Sequence, residues 1–288
     1  MNGTEKKLSI LMIGAHPDDC ELKAGGSAIL WSKLGHRVQF VAMTGGDNGH
    51  PSMSGGALQQ RRREEALAAA KVLGIADSHV LDYHGGELLA TLDVRREVVR
   101  LIREARADVV ISHRSTDYHP DHRYTATLVQ DAAYMVTVPF FLPSVPALEK
   151  NPVFLFFQDK FTRPAPFQPD IAIDIDEVFE QKLEALEAHA SQMFEWLPFM
   201  MSRSSGRPEQ VPSNPVERRA WLAKAWFPDL PSQDVQSCLK RLYPGREASQ
   251  RAEAFEICEY GRPLAPSEFR DMFPFLPEHT VEIAYTRS

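Results

Sequence analysis
Apolar residues in the first half of the chain fall into short runs separated by longer periodic stretches. Leu8–Ala15 is almost wholly apolar and shows no alternation, as expected of a strand buried on both faces. Gly25-Gly26 opens a helical pattern over Ala28–Leu34, which Gly35 ends. Arg37–Met43 is β-branched and apolar, a second strand. It leads into Thr44–His50, a loop rich in residues that tolerate positive φ. Ala57–Leu73 predicts a long helix closed by Gly74, with Ala66, Ala69, Ala70 and Leu73 on one face. A short strand at His79–Leu81, an amphipathic helix at Val94–Ala105, a strand at Asp108–Ser112 and a helix at Tyr124–Val136 follow.

This alternation predicts an α/β fold of the Rossmann-like, doubly wound kind, mostly parallel, with helices on both faces of the sheet. Glycine dominates before Val138 and proline after it, a change of character that suggests a boundary there. Two more strands are expected at Val153–Phe157 and Ile171–Ile175, then a helix over Asp176–Phe194 with Asp174 or Asp176 as its N-cap. From Leu197 the chain is Pro-rich and carries Trp221, Trp226 and several phenylalanines. The expected organisation is one α/β domain over 1–196 that carries the chemistry. An irregular extension, 197–288, packs on the same domain.

Composition narrows the function. With 43% hydrophobic and 25% charged residues the chain is ordinary globular material. A net charge of -7 argues against a nucleic-acid partner, because phosphate recognition needs excess Lys and Arg. Cys20, Cys238 and Cys258 are too few and too scattered for a disulfide framework, which favours a reducing compartment. No run approaches the roughly 18–20 apolar residues of a membrane span. Lys6-Lys7 before an apolar octet superficially resembles a signal peptide, but His-Pro-Asp-Asp stands where a cleavage site would be. The expectation is a cytoplasmic protein.

The chemistry-bearing residues are concentrated in two similar segments, Ala15–Glu21 (AHPDDCE) and His119–His122 (HPDH). In a parallel sheet the strand C-termini share one edge, where ligands bind at the point at which strand order reverses. The commonest order sets the first and fourth strands side by side, so both segments would open onto one crevice. Each also reads as a helix start, with His as N-cap, Pro at N1 and acidic residues following. Helix capping does not explain two copies at two strand ends, nor the second histidine, His122. A catalytic zinc site needs about three protein ligands and one open position. His16, Asp19 and His122 supply such a set. Asp18 then lies beside the metal as a candidate general base. His119, one helical turn from His122, is available to donate to a charge-bearing oxygen or a leaving group. Asp121 is placed to fix the His119 imidazole.

Together with the helix Arg62, Glu65, Ala69, Ala70, Leu73, Gly74 and the later His189-Ala190-Ser191-Gln192, these motifs resemble the PIG-L/LmbE family of zinc-dependent N-deacetylases over roughly 8–195. The resemblance implies one Zn2+ per chain held by His16, Asp19 and His122, although another divalent ion would also suit. It implies Asp18 as general base, and His119, backed by Asp121, as the residue that stabilises the oxyanion or protonates the amine. Arg62 matches an arginine that reaches the substrate or the acetate product. The implied reaction removes an N-acyl group, acetyl being the expected one, from a small-molecule amino sugar such as an N-acetylglucosamine conjugate.

Two other readings stay open: a zinc hydratase or lyase acting on an unsaturated carboxylate, and a metal-dependent sugar-binding module without turnover. Oligomeric state is not legible, and a homo-oligomer is compatible with all of these. Arg61 and Arg63 read as solvated, and Asp47, Asn48, His50 and His84 as turn or rim residues. Lys23 reads as an exposed lysine and Cys20 as a small buried hydrophobe. His36, His79, His189 and His279 show no evident partner.

Overall fold
The computed structural model describes residues 7–277 apart from 208, 228 and 246–248, so His279 lies outside the described residues. Its frame is a seven-stranded sheet formed by β1 (Ser9–Gly14), β2 (Arg37–Thr44), β3 (Asp77–Tyr83), β4 (Val109–Ser112), β5 (Val153–Phe157), β6 (Ile171–Asp174) and β7 (Ala252–Cys258). The strand order is β3-β2-β1-β4-β5-β7-β6. All pairings are parallel except those of β7, which runs antiparallel to both β5 and β6. β1 and β4 are therefore neighbours, as the sequence pattern predicts.

Alternating residues of β1 serve opposite faces. Ile10 and Met12 join one apolar cluster, while Leu11 and Ile13 join the other. Helix α1 (Asp19–Lys33) packs in the first cluster with α2 (Gly55–Leu73) and α5 (Phe179–Ala188). The second lies under α3 (Leu92–Ala105) and α4 (Pro120–Met135). Both faces of the central strands are covered, which is why their sequences are uniformly apolar.

Three local differences from the sequence pattern have physical causes. Helix α1 begins at Asp19, not beyond Gly25-Gly26, and runs through a kink at Ala24 (φ -147°, ψ 16°). Gly26 sits at a close approach: a Cβ there would lie 2.7 Å from Ile175 Cγ2. The predicted helix over Asp176–Phe194 breaks at His189, and a π-helical turn, Ser191–Trp196, follows. That break brings Ser191 to Glu65, whose carboxylate accepts from Ser191 N (2.9 Å) and Ser191 Oγ (2.6 Å).

The change in composition near Val138 does not interrupt the sheet, because β5 pairs directly with β4. Nor is the chain beyond Leu197 irregular. It forms α6 (Leu197–Ser205), α7 (Pro215–Trp226), α8 (Gln233–Leu242) and α9 (Pro266–Met272), and β7 inserts between β5 and β6. Prolines open α7 and α9 at N1, where the missing N–H costs nothing, so they mark helix starts rather than disorder. Among the described residues no helix is long and apolar enough to cross a membrane.

Candidate metal centre
Both HPD segments reach the same edge of the sheet. The second follows the pattern of a capped helix: His119 is the N-cap of α4, with Pro120 at N1, and its Nδ1 accepts from Asp121 N at 3.2 Å. The first does not. Its helix starts only at Asp19, and Asp18 takes φ 143°, a left-handed conformation rarely adopted outside glycine. Such strain persists only where surrounding contacts hold it, and it clusters at functional sites.

Three acceptor atoms converge here. His16 Nδ1 and His122 Nε2 are 3.2 Å apart, His16 Nδ1 is 3.6 Å from Asp19 Oδ2, and His122 Nε2 is 3.5 Å from the other carboxylate oxygen, Asp19 Oδ1. The outer nitrogen of each imidazole faces a carboxylate that can only accept. His16 Nε2 lies 3.1 Å from Asp121 Oδ2, and His122 Nδ1 lies 3.0 Å from Asp117 Oδ2. In its neutral form, the form a metal ligand takes, each imidazole thereby keeps its proton on the outer nitrogen and turns a lone pair inward. Asp19 Oδ2 is already engaged by the amides of Ala15 (2.9 Å) and His16 (2.8 Å), leaving Oδ1 facing His122. Two lone pairs and a carboxylate oxygen at this spacing need a positive charge between them. Ligands about 2 Å from a tetrahedral ion stand roughly 3.4 Å apart, so a divalent cation fits the set.

The electrostatics agree. Burial works against charge on His16, but Asp121 and Asp19 outweigh it and raise its pKa to about 9, so this spot favours a cation. Burial alone would raise Asp19, yet His122 and His113 hold it well below the usual carboxylate range. Burial pushes Asp18 up against the opposing charge of Arg62, to about 6, within reach of a base working near neutrality. Burial and the neighbouring His16 and His122 lower His119. With Nδ1 occupied as an acceptor, the neutral His119 ring carries its proton on Nε2. That ring stands 4.6 Å from the His16 ring, centroid to centroid.

Two predicted roles change. Asp121 was expected behind His119, but its carboxylate is 4.0 Å from His119 Nδ1 and bonds His16 instead, with the amides of Gly86 (2.6 Å) and Leu88 (3.3 Å) on its other side. The cap explains this: the Asp121 amide, not its side chain, satisfies His119. Arg62 was expected to reach substrate, but only 3% of it is exposed and its guanidinium points inward. It donates to Pro17 O (2.9 Å) and Gly46 O (3.1 Å) and lies 3.3 Å from Asp18 Oδ2. Gly46, at φ 60°, leaves room for that approach, since a Cβ there would meet Arg62 Nη1 at 1.8 Å.

Sequence reasoning missed Asp117 and His113 as members of the cluster. Asp117 Oδ1 accepts from His119 N (2.8 Å) while its other oxygen faces His122, and the signal was an Asp two residues before the second HPD. His113, at the end of β4, lies 3.2 Å from Asp19 Oδ2 and stacks on His122 at 4.3 Å. His189 does have a partner: fully buried, its Nε2 is 3.2 Å from Glu21 Oε1. His36 Nδ1 accepts from Leu8 N, and His79 pairs with Asp77.

The residues read as rim or surface tie the edge loops together. Asp47 bonds Gly85 N (2.9 Å) and His84 (2.7 Å), and Asn48 bonds Gly85 O. Glu195, in the π-helical turn, takes His50 (2.6 Å) and Arg61 (2.9 Å). Arg61 is thus a half-buried ion-pair partner of Glu195 and Glu65, whereas Arg63 bonds the exposed Asp82. Lys23 donates to Gln158 O at 3.0 Å, and Cys20 is buried.

Known proteins resemble this chain in sequence and fold to differing extents. The family model PIG-L, described as GlcNAc-PI de-N-acetylase, matches residues 11–133. The chain is 32% identical over 206 residues to the diacetylchitobiose deacetylase of Thermococcus kodakarensis, spanning 66% of this chain and 74% of that protein. It is 28% identical over 204 residues to the 4-oxalmesaconate hydratase of Pseudomonas putida, across 68% of this chain and 78% of that one. The solved N,N'-diacetylchitobiose deacetylase from Pyrococcus horikoshii superposes with a TM-score of 0.65 at 23% identity, covering 87% of this chain and 84% of the other.

Proposed function
Because the chain belongs to the PIG-L family, we propose that it is a metal-dependent hydrolase that removes an N-acetyl group from an amino sugar or sugar conjugate. The observation that carries the reading is the inward convergence of His16 Nδ1, His122 Nε2 and the Asp19 carboxylate, three groups able to ligate one ion. Two imidazoles and a carboxylate suit zinc, although such a set also binds other divalent ions.

His16, Asp19 and His122 would hold the ion, which when bound would supply Lewis acidity toward the acyl carbonyl and the attacking water. Asp18, next in the chain to Asp19, takes the proton of the attacking water. Its high pKa and strained backbone support that role, as does the Arg62 guanidinium that holds the carboxylate in place. His119 Nε2–H donates to the oxygen that gains negative charge as the carbonyl is attacked. The proton held by Asp18 then passes to the departing nitrogen, giving acetate and a free amine. Asp121 and Asp117 hold the His16 and His122 tautomers. The three cysteines, all free and buried, suit a reducing compartment, and a cytoplasmic location is part of this reading.

The hydratase reading has one observation in its favour, the 28% identity to 4-oxalmesaconate hydratase. Product analysis separates the two. Incubation with N-acetylglucosamine derivatives and zinc is expected to release acetate and primary amine in equal amounts, and a chelator is expected to stop it. Loss of alkene absorbance from an unsaturated dicarboxylate, without acetate release from any acetylated sugar, would overturn the deacetylase reading.

A further inference from the structure
Beside the metal centre is a cavity of about 590 Å³ built largely from parts of the chain outside the matched family region. One wall is the segment after β5, with Phe161 and Phe167. The other is the junction of α7 and α8, with Trp226, Phe227 and Leu230, and Phe179 lies in the floor. This volume falls within the range of small-molecule sites.

The cavity adjoins the chemistry. Lys23, four residues after Asp19 on α1, lines it, and its charge is felt by Asp19 and Asp117. Tyr118, 78% exposed, packs its ring 5.9 Å from His119 and 6.3 Å from His122 on one side, and 6.4 Å from Phe161 on the other. A continuous aromatic path therefore leads from the metal histidines to the cavity.

The lining indicates what it takes. Its deepest charges, Lys182 and Glu253, neutralise each other at 2.7 Å. Asp159 is paired with Arg114 at 3.2 Å. The remaining lining charges are of both signs, Lys23, Lys160 and Arg251 against Asp229 and Asp234, so they impose no strong net charge. Five aromatic rings favour a flat or apolar group. The buried indole N–H of Trp226 has no acceptor among the described residues, and it would be satisfied by a polar atom on such a group.

We infer that this cavity is a second substrate subsite, which accepts an aromatic aglycone joined to the N-acetylated sugar. The inference rests on the deacetylase reading in one respect: if the acyl group is acetyl, a substituent of this size must be carried by the rest of the substrate.

Calorimetry on the full-length, zinc-loaded protein tests the subsite without turnover, using 4-nitrophenyl β-glucoside and methyl β-glucoside, which have no amide to cleave. The aryl glucoside is expected to bind at least tenfold tighter. Trp226→Phe, which keeps a ring but loses the N–H, and Phe161→Ala are each expected to weaken it by threefold or more while leaving methyl glucoside unaffected. Equal binding of the two glucosides, or variants that bind the aryl glucoside as the wild type does, would overturn the inference. With the corresponding N-acetylglucosaminides, the aryl compound is expected to show a lower KM at similar kcat. Absence of amine release from both would count against deacetylation, while the calorimetry would still decide the subsite.

Discussion
His16 and Asp121, 105 residues apart in the chain, meet at 3.1 Å between Nε2 and Oδ2. Through this contact the second HPD segment sets the protonation of the first. A carboxylate that can only accept holds a proton on the outer His16 nitrogen, and in the proposed function this leaves the other nitrogen for the metal. Asp121→Asn removes the charge and allows either amide orientation. Metal affinity is expected to fall by about 10–100-fold, measured by competition with a chelating dye. Unchanged affinity would mean the bond plays no part in preparing His16.

In the proposed mechanism Asp18 is the base and Arg62 the group that braces it. Asp18→Asn is expected to keep the metal near stoichiometric while kcat falls by about 10²–10⁴-fold. Arg62→Met strips Asp18 of its buried partner, removes the donor to the Pro17 carbonyl and leaves the Gly46 carbonyl only the bond from Gly49 N (3.4 Å). A stability loss of roughly 3–5 kcal/mol is expected from breaking such a pair, read by denaturant titration, with kcat falling more than KM changes. An effect on KM alone, at full stability, would instead place Arg62 on the substrate.

Glu195 connects the loop after β2 to the π-helical turn through Arg61 and His50. The Arg61 hydrogen bonds hold its carboxyl below the usual glutamate range. A depressed folded-state pKa contributes stability that is present above the unfolded value and lost as pH falls through the folded one. Glu195→Gln is therefore expected to be less stable than wild type at pH 7, with the difference vanishing at pH values below the ordinary glutamate range. The side chain is 39% exposed, so screening limits the effect to about 1 kcal/mol or less. Denaturant midpoints of both proteins across pH 3–7 check this, and a gap that widened toward acid would contradict it.

Glu253, on β7, is buried at the kink of α1. Its Oε1 accepts from Gly26 N (2.8 Å) and Lys182 Nζ (2.7 Å), and its Oε2 from Ser27 N (2.7 Å) and Ser27 Oγ (2.6 Å). Glu253→Ala would leave two helix amides unsatisfied and the buried Lys182 ammonium without its counter-charge, holding only the Leu22 carbonyl (2.8 Å). Roughly 3–5 kcal/mol of stability is expected to be lost, and Glu253→Gln is expected to retain part of it. A change under 1 kcal/mol in chemical denaturation would show that water replaces the carboxylate.

Much of this protein is determined by local sequence. The uninterrupted apolar character of β1, β2 and β4 announces strands covered on both sides, and the turns and helices between them leave a parallel arrangement as the natural solution. Strand C-termini at one edge then bring Ala15–Glu21 and His119–His122 together, and residue chemistry nominates His16, Asp19 and His122 as metal ligands. These conclusions need only periodicity and donor type. Tertiary structure decided the pairings. Whether Asp121 serves His119 or His16 depends on which group completes the α4 cap. Whether Arg62 faces solvent or Asp18 depends on packing under Gly46. The place of residues 252–258 in the sheet was hidden for the same reason: a strand that pairs with partners about a hundred residues away leaves no periodic mark on the chain between them.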